Sequence, residues 1–118
     1  MELLVVERFD GSNMGVFPLF PKGTVLEFVG KGNESSHWCP CITKEGHGFW
    51  TPDTYLDGMV LNRDYNPTSL TVETGQTLTL KKIVFEWLYV TDEKGIDGWI
   101  PANIVVSACN LEENDSLV

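Results

Sequence analysis

The chain has 118 residues, 42% hydrophobic and 21% charged, with a formal net charge of −9. That length holds one ordinary domain or two very small ones. The acidic excess is even along the chain, with four basic and eight acidic side chains in residues 1–57 and four and nine in 58–118. It argues against nucleic acid and anionic membrane surfaces as partners and favours a basic one.

No apolar run approaches the roughly 18 residues of a membrane span. The opening MELLVVERFDGS carries acids where a signal peptide would carry positive charge, so a cytoplasmic protein is expected. Cys39, Cys41 and Cys109 are an odd count with a tight Cys-x-Cys spacing, which is no disulfide framework and fits a reducing compartment.

In chain order, RFDG (8–11) follows a short apolar run, and FPKGTVLEFV (20–29) reads as a glycine turn leading into a strand. HWCPCI (37–42) and FWTPDTYL (49–56) read as two strands flanking a glycine-marked hairpin, the second ended by a proline. LTVETGQTLTL (70–80) alternates apolar residues on either side of a Glu-Thr-Gly turn, the period-two signal of a half-buried strand. VFEWLYVTD (84–92) continues as a strand, DEKGIDG marks a hairpin, and GWIPANIVV opens the last strand. Pro101 ends regular pairing because it has no N–H to donate.

This series is a repeat. FPKGTVLEFV matches the 72–81 region at an offset of 52, HWCPCI matches EWLYVT and FWTPDTYL matches GWIPANIV at 49, and RFDG sits over DYNP (64–67) at 56. The offsets change only in loops such as GKGNESS (30–36), as repeated units require. The boundary is expected near LDGM (56–59).

The repeated pieces resemble the SH3 family. Its opening strand is echoed by LNRDY (61–65) and more faintly by VVERF (5–9), and its diverging turn by PKGT (21–24) and ETGQ (73–76). Its Trp-x-x-Ala strand is echoed by WCPC and WLYV, and its closing segment by GWIPANIV and FWTPDTYL. The resemblance implies an all-β protein of two tandem SH3-like five-stranded barrels packed together, 1–57 and 58–107, followed by an acidic tail, 108–118, expected to be disordered. It implies a non-enzymatic adaptor that binds an extended, proline-containing segment of a partner protein. A polyproline helix is pre-formed and loses little entropy when its ridges enter an aromatic groove.

Carried onto this chain, the peptide-binding residues implied in the first copy are Phe9, Asp10, Trp38, Pro52 and Tyr55. Those implied in the second are Tyr65, Trp87 and Pro101. Glu7, Arg63 and Ile104 stand where further tyrosines belong. The first copy, centred on Trp38, is expected to be the better binding surface, while Trp50 and Trp99 are read as structural.

Two other readings compete. One is an assembly module whose aromatics pack the barrels together or form a homodimer. The other is a cell-wall peptide-binding variant of the fold.

Other groups carry less. His37, Cys39, Cys41 and His47 could hold zinc, but side chains two apart on a flat strand lie roughly 6–7 Å apart. No metal or cofactor is expected, and a Cys39–His47 nucleophile pair lacks an orienting third residue. PLFP (18–21) overlaps a strand and reads as structural. Asn33-Glu34-Ser35 fits a glycosylation sequon, and the final SLV suits a carboxylate-binding groove only as a chance match.

Overall fold

The structure, a computed structural model, describes residues 1–30 and 37–108. The sequon, Cys109 and the tail from 109 onward lie outside the described residues. The described chain is all-β. Its strands are β1 (Glu2–Val5), β2 (Glu27–Phe28), β3 (Trp38–Ile42), β4 (Gly48–Pro52), β5 (Leu56–Asp57), β6 (Val60–Leu61), β7 (Thr77–Val84), β8 (Trp87–Thr91), β9 (Asp97–Pro101) and β10 (Val105–Ser107). No helix among the described residues is long and apolar enough to cross a membrane.

The alternation read over 70–80 is an alternation of burial: Leu70, Val72 and Leu78 are buried and Leu80 is half-buried. With Leu3 and Val5 on β1, Leu88 and Val90 on β8, Ile100 on β9, and Ile104, the three buried ones form one aliphatic core. These strands form one antiparallel sheet in the order β10-β1-β7-β8-β9. Thr68–Leu70 covers the β9 edge, where Trp99 N–H donates to Thr68 O and Leu70 N–H to Trp99 O, both at 3.1 Å. A bulge between Leu80 and Lys82 interrupts β7.

The other strands form a three-stranded sheet, β2-β3-β4, and a two-stranded one, β5-β6. Bridges join Val25 to Val60 and Phe20 to Tyr65. Phe20, Leu26, Cys41, Phe49, Tyr55, Leu61 and Tyr65 are buried there. The sheets of neither region close into a barrel.

The two compact units are not consecutive halves. One joins Met1–Val16 to the chain from Thr68 onward, and the other is Phe17–Pro67. The expected boundaries, 1–57 and 58–107, therefore do not coincide with them. The repeat is nevertheless present in the backbone. Trp38 lies opposite Pro52 and Trp87 opposite Pro101. Gly46 N–H donates to Thr43 O and Gly95 N–H to Asp92 O, each at 3.0 Å, in turns whose glycines have φ of 93° and 82°.

What differs from expectation is the opening strand of each copy. Gly75 N–H donates to Val5 O and Gly23 N–H to Leu61 O, both at 2.8 Å. Val5 N–H donates to Gln76 O and Leu61 N–H to Thr24 O, both at 2.9 Å. Phe9 bridges Val72, and Tyr65 bridges Phe20. Each pair of bonds is related by the repeat offsets, so the same contacts are made twice with the opening strands exchanged. The first copy's opening strand completes the second copy's sheet, and the second's lies on the first.

The cause is local. Leu56 lies opposite Leu61 and Asp57 opposite Val60, so Gly58 and Met59 are a two-residue hairpin turn with Gly58 at φ 64°. A glycine at the first of two loop positions, where φ must be positive, suits a type II′ hairpin. A turn this tight lays the second opening strand beside the first copy's closing strand and leaves no linker between copies.

Candidate functional site

The discontinuous unit gathers four of the residues expected to bind peptide: Phe9, Asp10, Trp87 and Pro101. Phe9 follows β1 and is fixed by two backbone bonds with Val72, Phe9 N–H to Val72 O at 3.0 Å and Val72 N–H to Phe9 O at 2.9 Å. Its ring meets Trp87 edge-on, with centroids 5.9 Å apart and planes at 75°. Paired residues share a face of an antiparallel sheet, so Pro101 stands beside Trp87. All three side chains are half-buried. Phe9 was expected beside Trp38, and the strand exchange moves it.

Asp10 is exposed, and its Oδ1 accepts from Ser12 N–H at 2.9 Å, from the Ser12 hydroxyl, and from the Thr71 hydroxyl at 3.3 Å. The Ser12 hydroxyl first, then the Ser12 N–H, hold the carboxyl below the usual carboxylate range, so it is ionised at neutral pH. All three bonds converge on one carboxylate oxygen.

The Phe17–Pro67 unit holds Trp38, Pro52, Tyr55 and Tyr65, and here three of the four are used internally. Tyr55 is only 2% exposed, its ring edge-on to Tyr65 at 5.4 Å and covered by the Arg63 guanidinium 4.3 Å from its centroid. Tyr65 is buried and donates its hydroxyl to Trp50 O at 2.6 Å. Burial pushes its phenol far above the ordinary range. Pro52 is buried, and only Trp38 is half-exposed. Of the residues expected to bind peptide, this unit thus takes Pro52, Tyr55 and Tyr65 into its interior and leaves Trp38 half-exposed.

The sequence reading missed several features. Trp50 is 53% exposed, whereas Trp99 at the matching position is 4% exposed, its ring centroid 5.0 Å from that of Tyr89. Arg63 stood out only as a missing aromatic, and here it caps one. Phe85, 40% exposed, occupies the two-residue turn between Val84 and Trp87 with φ 56°, a backbone region that bulky residues rarely adopt. The strand expected over 84–92 is instead split by this turn, Val84 ending β7 and Trp87 opening β8.

Among the described residues, no three His, Cys, Asp or Glu side chains lie close enough to hold a metal ion. Cys41 packs in the core with its thiol 3.5 Å from Cys39 O, and burial pushes its pKa up. Cys39 is pushed up by burial first and then by Asp53. Both are thiols, not thiolates, at neutral pH. His37 Nδ1 lies 3.0 Å from Asp53 Oδ2.

The arrangement can offer an extended ligand two aromatic faces, a proline and an adjacent carboxylate. Comparison with family models, curated proteins and solved structures finds no match to this chain.

Proposed function

We propose that this protein is a non-enzymatic interaction module that binds an extended, proline-containing and basic segment of a partner protein. The reading surface is Phe9, Trp87 and Pro101, with Asp10 pairing a ligand Arg or Lys. The observation that carries this reading is the edge-on packing of Phe9 on Trp87 beside Pro101, three apolar side chains from three distant segments left partly open to solvent. The SH3 resemblance is supported by five antiparallel strands in one sheet with the opening and closing strands adjacent. The net charge of −9 favours a basic partner.

For Phe17–Pro67 a structural role within the unit is favoured over ligand reading, because Pro52, Tyr55 and Tyr65 are buried. These aromatics build the unit and do not read a ligand.

The test is titration of a basic proline-rich peptide library, and of partners captured from extract, against two variants. A buried aromatic anchor typically costs about 2 kcal/mol or more when truncated, about a thirtyfold loss of affinity. Trp87→Ala is expected to lose at least that, and Trp38→Ala only a few-fold, with circular dichroism showing both folded. Equal losses, or a larger loss for Trp38→Ala, would sink the placement. No loss for either would make the aromatics scaffolding.

A further inference from the structure

The tight Gly58-Met59 turn forces the second opening strand onto the first copy, but it does not by itself explain why each strand fits where it lies. The two strands carry different side chains at the positions that touch their partner sheets, and each set suits only the observed place.

Gly11 lies two residues beyond Phe9. A Cβ there would sit 2.6 Å from Leu70 O and 2.8 Å from Ser69 Cβ. The matching residue beyond Tyr65 is Pro67, whose ring would occupy that space. Gly11 N–H also donates to Thr71 Oγ1 at 3.1 Å, and proline has no N–H to give. Arg8 Nε donates to Glu73 Oε1 at 2.9 Å, whereas the matching Asp64 would set a carboxylate against Glu73.

The reverse substitution fails as well. In the Phe17–Pro67 unit, Asp64 Oδ1 accepts from Lys22 N–H at 2.9 Å, and an arginine in its place could not accept. Tyr65 donates its hydroxyl to Trp50 O, and Phe9 has none to donate. Shape, hydrogen bonding and charge all select the same pairing.

We propose that Arg8, Gly11 and Thr71 on one side, and Asp64, Tyr65 and Pro67 on the other, are positioning residues. They select which opening strand enters which sheet, and so place Phe9, and not Tyr65, beside Trp87. The groove is composite by specification, and the selection operates independently of the hairpin. This rests on the pairing alone and stands whether or not a peptide binds.

The experiment separates the two devices. A flexible Gly/Ser insertion of about 12 residues between Gly58 and Met59 spans roughly 20 Å and releases the second strand. Pairing is read by intramolecular disulfides mapped by mass spectrometry, in the full chain carrying Cys39→Ser, Cys41→Ala and Cys109→Ser. Leu4 lies directly opposite Thr77, at the Cα spacing of about 4.5–5.5 Å that a disulfide accepts, so Leu4→Cys with Thr77→Cys reports the exchanged pairing. Val25 bridges Val60, the repeat counterpart of Leu4, so Leu4→Cys with Val25→Cys reports the consecutive one.

With the insertion alone, the exchanged disulfide is expected to dominate at least tenfold. Adding Arg8→Asp, Phe9→Tyr, Gly11→Pro, Asp64→Arg, Tyr65→Phe and Pro67→Gly transposes the two sets, and the preference is expected to reverse. If the insertion alone moves the crosslink to Val25, the hairpin was the sole determinant and the proposal fails. It also fails if the transposed chain keeps the Thr77 crosslink. A transposed chain that does not fold is equally contrary, because the proposal makes the transposed contacts sufficient to seat each strand in its new sheet.

Discussion

The two units solve one packing problem in two ways. On β9, Gly98 lies opposite Val90, and Leu70 packs onto it so closely that a Cβ on Gly98 would sit 2.5 Å from Leu70 Cγ. At the matching position of β4, opposite Cys41, stands Phe49, stacked on Phe20 at 4.9 Å and edge-on to Tyr65 at 6.0 Å. The residue matching Leu70 is Pro18, which is exposed. One unit fills the space from the covering segment and the other from the strand. Interiors need a filled volume, not a particular donor of it. The consequence for function is direct. An aliphatic core leaves Phe9 and Trp87 at the surface, while an aromatic core takes up Tyr55 and Tyr65.

The comparison breaks most readily at the residues that fill each space. Phe49→Ala is expected to cost about 3–5 kcal/mol, enough to unfold Phe17–Pro67. Near-UV circular dichroism should lose that cluster's contribution while the aliphatic unit, with Trp99 packed on Tyr89, keeps its own and still melts. A cost below 1 kcal/mol would mean that Phe49 is not what fills the space.

Gly98→Ala comes next, at about 1–3 kcal/mol, because a methyl group cannot enter beside Leu70 without moving it. Gly48→Ala is the control on β4, where the nearest atom to a new Cβ is 3.9 Å away, and chemical denaturation should find it close to neutral. Equal costs would show that Leu70 yields easily.

The smallest effect sharpens the difference between Phe9 and Tyr65. Tyr65→Phe removes the hydrogen bond to Trp50 O and should cost about 1 kcal/mol, read as a shift in denaturation midpoint. The wild-type protein should also lose stability in base in a way that this variant does not. The folded phenol is raised above its unfolded value, so its contribution is intact below about pH 10, the unfolded tyrosine value, and declines as pH rises past it. Identical alkaline profiles for the two proteins would show that Tyr65 ionises in place.

Much of the local architecture was legible in the chain. Alternation identified the strands, and the shared offset put Trp38 opposite Pro52 and Trp87 opposite Pro101. The site was legible only as a set of residue types. Phe9 and Tyr65 were each assigned to the copy they belong to in sequence, and both stand in the other. LDGM (56–59) was read as a boundary, whereas Gly58-Met59 is the loop of a hairpin that pairs Asp57 with Val60, so both opening strands were assigned to the wrong sheets. Burial of Tyr55 under Arg63 left no trace in the pattern, because a cation covering a ring is a contact between residues that the period does not relate.

The sequence by itself determined strands, turns and repeat, since backbone preference and period-two burial act within a few residues of each position. Which opening strand closes which sheet was decided only in three dimensions. Strand pairing is non-local, and the two candidate strands offer their partners the same backbone donors and acceptors, as the matched bonds at Val5 and Leu61 show. The choice falls to a two-residue turn and a few side chains, Gly11 against Leu70 above all, whose fit exists only once the segments lie together.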